Sequence, residues 1–545
     1  MSRPETGAIG SPVRGQIMKE FPMSFTRRGA LAATAAFALL PAMPRLVRAE
    51  TTPMTLRTTT RVIEVAGKAA TVFGIENAQG GAGLILDPGQ RFHVDLRNEA
   101  GVSTLIHWHG QIPPNLQDGV PDAPLAALNP GESRSYDFEP APGTHWMHAH
   151  IPVQEIAMMA APLIVRRPED LRADRQEVVM FLHDFTFRTP EDMLAEIQSG
   201  HGGPAHAGTS AAPAMGAMSG MDHSAHGTAP APSAPAPSGP ASSAHDGHDM
   251  SGMAMPGMAM SGHDMSAMSG MDMGAMDLND FDFDAYLVND RTLDDPEIIR
   301  VETGGRVLLR VINAASATTF WIDSAALPMR LVAVDGQPVQ PLAGQRFGLS
   351  MGQRLDLEID LPGAGAWPIL ALREGAREQS GLVLATAGAP VAKLPLLAEN
   401  PAPAFDTDLA QESRLRAVSG LAPIEGIAPR MVMLGGSMQP YRWTIDDRTW
   451  QDRAPIAATS GERMEIMFHN MSMMGHPMHL HGHHFQIVGI NGQRFAGALR
   501  DTVYVPPMSS VTLAINPGEA ARWMLHCHHM PHLETGMMTE FVVSA

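Results

Sequence analysis

Near its C-terminus the chain reads His526-Cys527-His528-His529-Met530-Pro531-His532-Leu533-Glu534-Thr535-Gly536-Met537, and Cys527 is the only cysteine in 545 residues. Successive side chains of an extended strand point to opposite faces. On a strand, His526 and His528 therefore look one way and the Cys527 sulfur the other, so one tripeptide reaches two metal sites. His532 and Met537 follow the cysteine at five and ten residues, and with His476 they complete a His₂Cys set with a distant thioether. That donor set belongs to blue-copper electron-transfer centres, with methionine as the long axial ligand. A structural zinc site of the usual kind is excluded, because there is one thiolate and no CxxC pair. The alternative, a free cysteine acting as a small buried hydrophobe, leaves the flanking histidines unexplained.

Three further groups share the spacing: His107-Trp108-His109, His148-Ala149-His150 and His476-Pro477-Met478-His479-Leu480-His481. Each His-X-His pair sets both imidazoles on one side of a strand, where they serve one site or two adjacent metals. A lone pair of this kind is ordinarily incidental. Four pairs near the two ends of a chain in which histidine is otherwise sparse, apart from the segment 200–276, are not.

Outward from these groups, residues 51–167 alternate apolar and polar side chains in short runs such as Arg91-Phe92-His93-Val94-Asp95-Leu96, punctuated by proline and glycine. This is the pattern of a β-sandwich. A second block, 176–390, predicts strands at Val178–Leu182, Arg306–Ile312, Arg330–Val334 and Leu355–Leu361. A third, 414–545, predicts Arg463–Phe468, His484–Ile490 and Phe541–Val543. The fold class is therefore all-β with three domains, which suits a length too great for one core.

The second block is interrupted over 200–276 by a segment holding 13 methionines and seven histidines, with no aromatic residue and no β-branched residue except threonine. Such a composition buries too little apolar surface to offset chain entropy and predicts disorder. Its thioethers and imidazoles are soft ligands suited to Cu(I).

The first 49 residues carry the three parts of an export signal: Arg27-Arg28, an apolar run from Ala30 to Leu40, and a small-residue site at Val47-Arg48-Ala49. The run is too short to span ~30 Å of hydrocarbon, so no membrane anchor is expected after cleavage. Thr26-Arg27-Arg28-Gly29-Ala30-Leu31 resembles a twin-arginine signal, with Ala30 in place of the usual aromatic; this implies the twin-arginine export machinery as a partner and the periplasm as the destination. An exported chain with one cysteine has no disulfide framework. The net charge is −19, and losing seven Lys/Arg and two Glu with the leader takes it to −24. That balance repels phosphate and excludes nucleic acid as a partner.

In order and spacing, the four histidine segments resemble the four copper-binding signatures of the three-domain branch of the multicopper oxidase family, across essentially the whole chain beyond the leader. The resemblance implies three cupredoxin-like Greek-key β-sandwich domains, four copper ions and O₂ as acceptor. It further implies that His107 and His479 hold the type 2 copper. One type 3 copper would take His109, His148 and His528, and the other His150, His481 and His526. His476, Cys527, His532 and Met537 would hold type 1. The three-copper cluster would then be built by the first and third domains together, and electrons taken at type 1 would pass through Cys527 and its flanking histidines.

Asp118 stands where similar enzymes have an acid near the type 2 copper, which implies a proton relay or water-orienting group; the competing reading is an ordinary Asp118-Gly119 turn. Two departures stand out. Leu533 follows His532 where some relatives have a glutamate, leaving Glu534, one residue further, as the second candidate acid. Ser472 stands four positions before His476, where relatives that oxidise cuprous ion tend to have an acid. Met471, Met473 and Met474 remain there, as soft copper contacts or as packing.

The expected substrate is Cu(I), oxidised in copper tolerance. A laccase-like phenol oxidase is the first alternative and a non-catalytic copper-sequestering protein the second. Storage calls for many equivalent soft sites rather than a thiolate joined to eight histidines. A copper nitrite reductase would not require both histidines of all four pairs.

Overall fold

The computed structural model describes residues 52–199 and 278–545. The expected leader, 1–49, and the Met/His-rich segment expected to be disordered, 200–276, lie outside the described residues.

Three sandwiches follow one another along the chain. In the first, the sheet Lys68–Asn77, Met54–Val65, Phe92–Asn98, Ser133–Phe138 packs on the sheet Leu84–Leu86, Ala160–Val165, Gly143–Ala149, Ile106–His109. The second is built around Gln176–Phe185, Arg306–Asn313 and Arg354–Asp360 in one sheet and Gln379–Ala385, Ala366–Arg373 and Phe320–Asp323 in the other. In the third, a sheet centred on Met464–Asn470 and Ser510–Ile515 accompanies the ordered set Ile456–Thr459, Met538–Ser544, Arg522–Cys527, His476–Leu480, Thr502–Val505. The expected strands fall within these elements, or within Met329–Val334 and Phe485–Ile490 of the same sheets, to within a few residues; Phe92–Asn98, for example, buries every second side chain.

One topology recurs three times. In each sandwich a leading strand pairs in parallel with a later one of its own sheet: Met54–Val65 with Phe92–Asn98, Gln176–Phe185 with Arg306–Asn313, and Arg430–Met438 with Met464–Asn470. The other sheet of each holds a second parallel pair, such as Ile456–Thr459 with Met538–Ser544. Parallel neighbours need crossover connections, which here pass between sheets as in a Greek key.

The first sandwich has its own apolar core, around Phe92, Trp108 and Leu163. A single cluster runs through the second and third, from Leu309 and Leu357 to Phe468 and Leu513, and includes Cys527. Buried charges tie the sandwiches together. Arg310 donates to Glu177 at 2.6 Å, to Asp356 at 3.1 Å and to the Thr144 hydroxyl of the first sandwich at 3.0 Å. Arg500 of the third donates to Asp335 of the second at 3.0 Å. Among the described residues, no helix is long and apolar enough to cross a membrane.

Candidate metal centres

The strands Arg522–Cys527 and His476–Leu480 are antiparallel neighbours that set Cys527 opposite Met478 and His526 opposite His479. Directly opposed residues share a face. His476, Met478 and Cys527 therefore lie on one face, and His479, His481, His526 and His528 on the other.

On the first face the Cys527 sulfur stands 3.8 Å from His476 Nδ1 and 3.7 Å from His532 Nδ1, and the two nitrogens are 3.1 Å apart. His532 is carried by the short helix Met530–Glu534. Each imidazole is held by its outer nitrogen, His476 Nε2 by the Ser472 hydroxyl at 2.8 Å and His532 Nε2 by the Asp280 carboxylate at 3.1 Å. Such outer contacts fix ring orientation and leave the inner nitrogens to converge with the sulfur. Met537 is fully buried, and its carbonyl accepts the Cys527 N–H at 3.0 Å. Burial pushes the Cys527 thiol up and the His476 and His532 imidazoles down, so all three are held as neutral donors until a cation arrives.

Asp280 was not singled out by any spacing in the sequence. Burial works to raise it, but hydrogen bonds from His532 and Tyr441, together with the nearby His529, outweigh burial and hold its carboxyl at about 2.

On the opposite face, eight imidazoles from the first and third sandwiches meet. His107 and His479 face each other with Nε2 atoms 3.4 Å apart. The donors of His109, His148 and His528 lie within 4.8 Å of one another, as do those of His150, His481 and His526. In the latter set His526 Nε2 is 3.3 Å from His150 Nε2 and 3.1 Å from His481 Nε2. Burial drives the imidazoles of both triads well below their ordinary range, and that of His479 down to about 4.

Three buried carboxylates stand behind these rings. Asp118 Oδ2 accepts His481 Nδ1–H at 2.8 Å, and the Asp118 carbonyl lies 2.9 Å from His107 Nδ1. Asp501 lies 3.1 Å from His109 Nε2 and receives Arg354 of the second sandwich at 2.7 Å. Glu155 lies 2.8 Å from His148 Nδ1. Asp501 and Glu155 were missed by sequence reasoning, since neither lies in a histidine motif. Glu534 is exposed at the end of its helix, and among the described residues no hydrogen bond or ion pair ties it to either centre.

Beside the Cys527 face is a cavity of 30 Å³ whose lining includes Met351, Met473, Met474, Glu374, Tyr504 and His529. On the other side, a cleft of 580 Å³ between the first and third sandwiches reaches His150, the one half-buried ring of the eight.

The donors fit copper. His148 Nε2, His528 Nε2 and His109 Nδ1 are buried without a hydrogen-bond partner, a cost of about 1–3 kcal/mol each that a shared metal removes. The His₂Cys set with a buried methionine suits the same metal on the other face.

Sheet-on-sheet domains carrying a thiolate site beside an imidazole cluster define a copper-dependent redox protein. Three models of the multicopper oxidase family match residues 57–170, 262–388 and 427–545. The chain belongs to the multicopper oxidase family and is an oxidoreductase. It is 29% identical over 533 residues to the multicopper oxidase MmcO of Mycobacterium tuberculosis, covering 94% of this chain and 91% of that one. With copper resistance protein A of Escherichia coli it shares 22% over 558 residues, 83% of this chain and 86% of the other. Its fold matches the Campylobacter jejuni multicopper oxidase, described as a metallo-oxidase, with TM-score 0.60 at 18% identity over 90% of this chain and 91% of that one. The laccase of Botrytis aclada gives TM-score 0.64 at 17% identity, over 90% and 87%.

Proposed function

We propose that the protein is an exported metallo-oxidase that oxidises Cu(I) to Cu(II) at the expense of O₂, in copper tolerance. Four resident copper ions supply the one-electron chemistry: four Cu(I) oxidised to Cu(II) reduce one O₂, which with four protons gives two waters. His476, Cys527, His532 and Met537 would hold type 1, and His107 and His479 type 2. His109, His148 and His528 would hold one type 3 ion and His150, His481 and His526 the other. Cys527 joins the two faces through its own backbone, since His526 and His528 are its covalent neighbours and His526 Nδ1 lies 2.9 Å from the Cys527 carbonyl. Asp118, in contact with both His107 and His481, is placed to hold a proton or a water at the cluster. Glu534, exposed and two residues beyond His532 on the same short helix, is the second candidate acid for that path. Work in the periplasm after twin-arginine export is supported by the Arg27-Arg28 leader and by similarity to a copper resistance protein.

The observation that carries the substrate reading is the 30 Å³ cavity. It has room for an ion or a water or two, not for a phenol ring. Thioethers from Met351, Met473 and Met474 and the His529 imidazole are soft donors for Cu(I). Oxygen uptake should therefore be compared with Cu(I) and with a bulky phenol in the copper-loaded protein. In a Met351→Ala/Met474→Ala variant the KM for Cu(I) is expected to rise at least ~10-fold with the blue band intact, while phenol turnover holds or improves. Removal of 201–275 is expected to weaken turnover at low Cu(I). Cu(I) kinetics unchanged in both variants would defeat the reading and favour the laccase-like one. Copper uptake without oxygen consumption would favour sequestration.

A further inference from the structure

We propose that Glu155 is a positioning residue of the eight-histidine cluster. In this role it is a buried carboxylate that holds His148 of the first sandwich, and closes on His528 of the third, so that their other ring nitrogens face metal. The inference rests on the copper reading above.

Glu155 is brought there by local structure. The strand Gly143–Ala149 ends, Pro152 starts a single helical turn, Pro152–Ile156, and that turn directs the side chain back beneath His148. Glu155 is 3% exposed, so its charge is removed from water. Its Oε2 lies 2.8 Å from His148 Nδ1 and its Oε1 3.7 Å from His528 Nδ1. The Ala149 carbonyl, 3.2 Å away, takes the hydrogen bond of the same His148 nitrogen, and the carboxylate stands beside it as the nearest acidic group. With Nδ1 engaged on the side of the Ala149 carbonyl and the Glu155 carboxylate, His148 keeps Nε2 free, and that atom has no partner in the protein. Glu155 Oε1 and both His528 nitrogens likewise lack partners.

What distinguishes Glu155 is the absence of a compensating cation. Asp501 has Arg354. Asp184, the nearest buried acid acting on Glu155, is satisfied by Ser316, Ala317 and Thr318. Among the described residues no arginine or lysine pairs with Glu155. A buried carboxyl left so is driven by burial well above its ordinary range, toward the neutral form, unless a cation stands beside it. Against a cationic cluster it becomes a counter-charge and an anchor for ligand orientation. It also completes a pattern: Asp118 touches His107 and His481, Asp501 touches His109 and His479, and Glu155 adjoins His148 and His528. Each carboxylate thus spans one ring from the first sandwich and one from the third.

The test is Glu155→Gln, with Glu155→Asp as the charge-keeping variant and Glu425→Gln, in an exposed loop, as a surface control. Copper per chain, the type 1 blue absorption, the type 2 and type 3 signatures, the rate of copper loss to a chelator, and the Tm of copper-free protein are compared. Glu155→Gln is expected to keep the blue band but release cluster copper about 10–100-fold faster. Its copper-free Tm should be little changed, because Gln keeps the size of the side chain and no arginine or lysine loses a partner. Glu155→Asp should fall between it and the native chain, and Glu425→Gln should match the native chain. If native protein holds copper in the cluster and Glu155→Gln holds it equally well, the proposal fails. It also fails if copper-free Glu155→Gln is destabilised or unfolded, which would mark a structural role. Native protein that binds no copper sinks the underlying copper reading instead.

Discussion

Burial pushes the Glu374 carboxyl up to about 7, and its Oε1 accepts the Phe405 N–H at 2.6 Å while it lines the methionine cavity. Its charge is therefore gained near neutral pH rather than near pH 4. Above about 7 a carboxylate joins the thioethers facing the cavity, and below it the group is neutral. The KM for Cu(I) is expected to fall as pH rises through 7, and Glu374→Gln should flatten that profile; an unchanged slope would remove Glu374 from substrate binding. The same shift has the opposite sign for stability. A folded pKa raised above the unfolded value near 4.5 favours the native state least once the group must ionise, so its contribution weakens from pH 4.5 upward and levels off above 7. At this scale Asp118 also yields a direct test: Asp118→Asn should slow oxygen consumption ~100-fold, within the range of general acid–base effects, and leave the blue band intact.

Single elements decide how these residues are presented. The sequence offered two readings of Asp118, a turn and an acid at the cluster, and the turn is what delivers the carboxylate to His481. Gly119 has φ +90, and a Cβ there would lie 1.8 Å from the Ile106 carbonyl and 3.0 Å from the His107 Cα. Gly119→Ala is accordingly expected to displace Asp118 and His107 together, to cost at least about 1–3 kcal/mol, and to lower both Tm and oxygen consumption. A native Tm with full turnover would show that the turn has slack. On the strands, alternation does the sorting. Trp108 turns inward onto Phe92 and Tyr136, with ring centroids 4.7 and 4.9 Å away, which leaves His107 and His109 facing the cluster.

Across the molecule, the cluster exists only while the first and third sandwiches are docked, and the second takes part through Arg354 on Asp501. Copper binding to the docked state alone stabilises that state by mass action. Chelation is expected to lower the Tm, and unfolding of the two sandwiches should separate more readily in copper-free protein. The buried imidazoles set the pH dependence of that protein. The folded pKa values of the two triads lie below the unfolded value near 6.5, and His479 is at about 4. The unfolded chain therefore takes up protons first, so stability present above pH 6.5 is lost as pH falls toward 4. A copper-free Tm that is flat over that window would contradict the burial of neutral rings.

Periodicity and ligand spacing are properties of the chain itself, so the β class, the strands and the twelve candidate donors were legible one residue at a time. The parity of His526, Cys527 and His528 forced two faces before any fold was known. Asp280, Glu155, Asp501 and Arg354 carry no such periodic mark. Their roles arise from contacts across long separations, such as the 252 residues between Asp280 and His532. The 30 Å³ cavity is formed by side chains from distant strands and loops, Met351 and Glu374 among them, and its size is fixed by packing. Local pattern specifies which atoms can bind metal, because it depends on strand geometry alone. Only the docking of three sandwiches brings the buried counter-charges to those atoms.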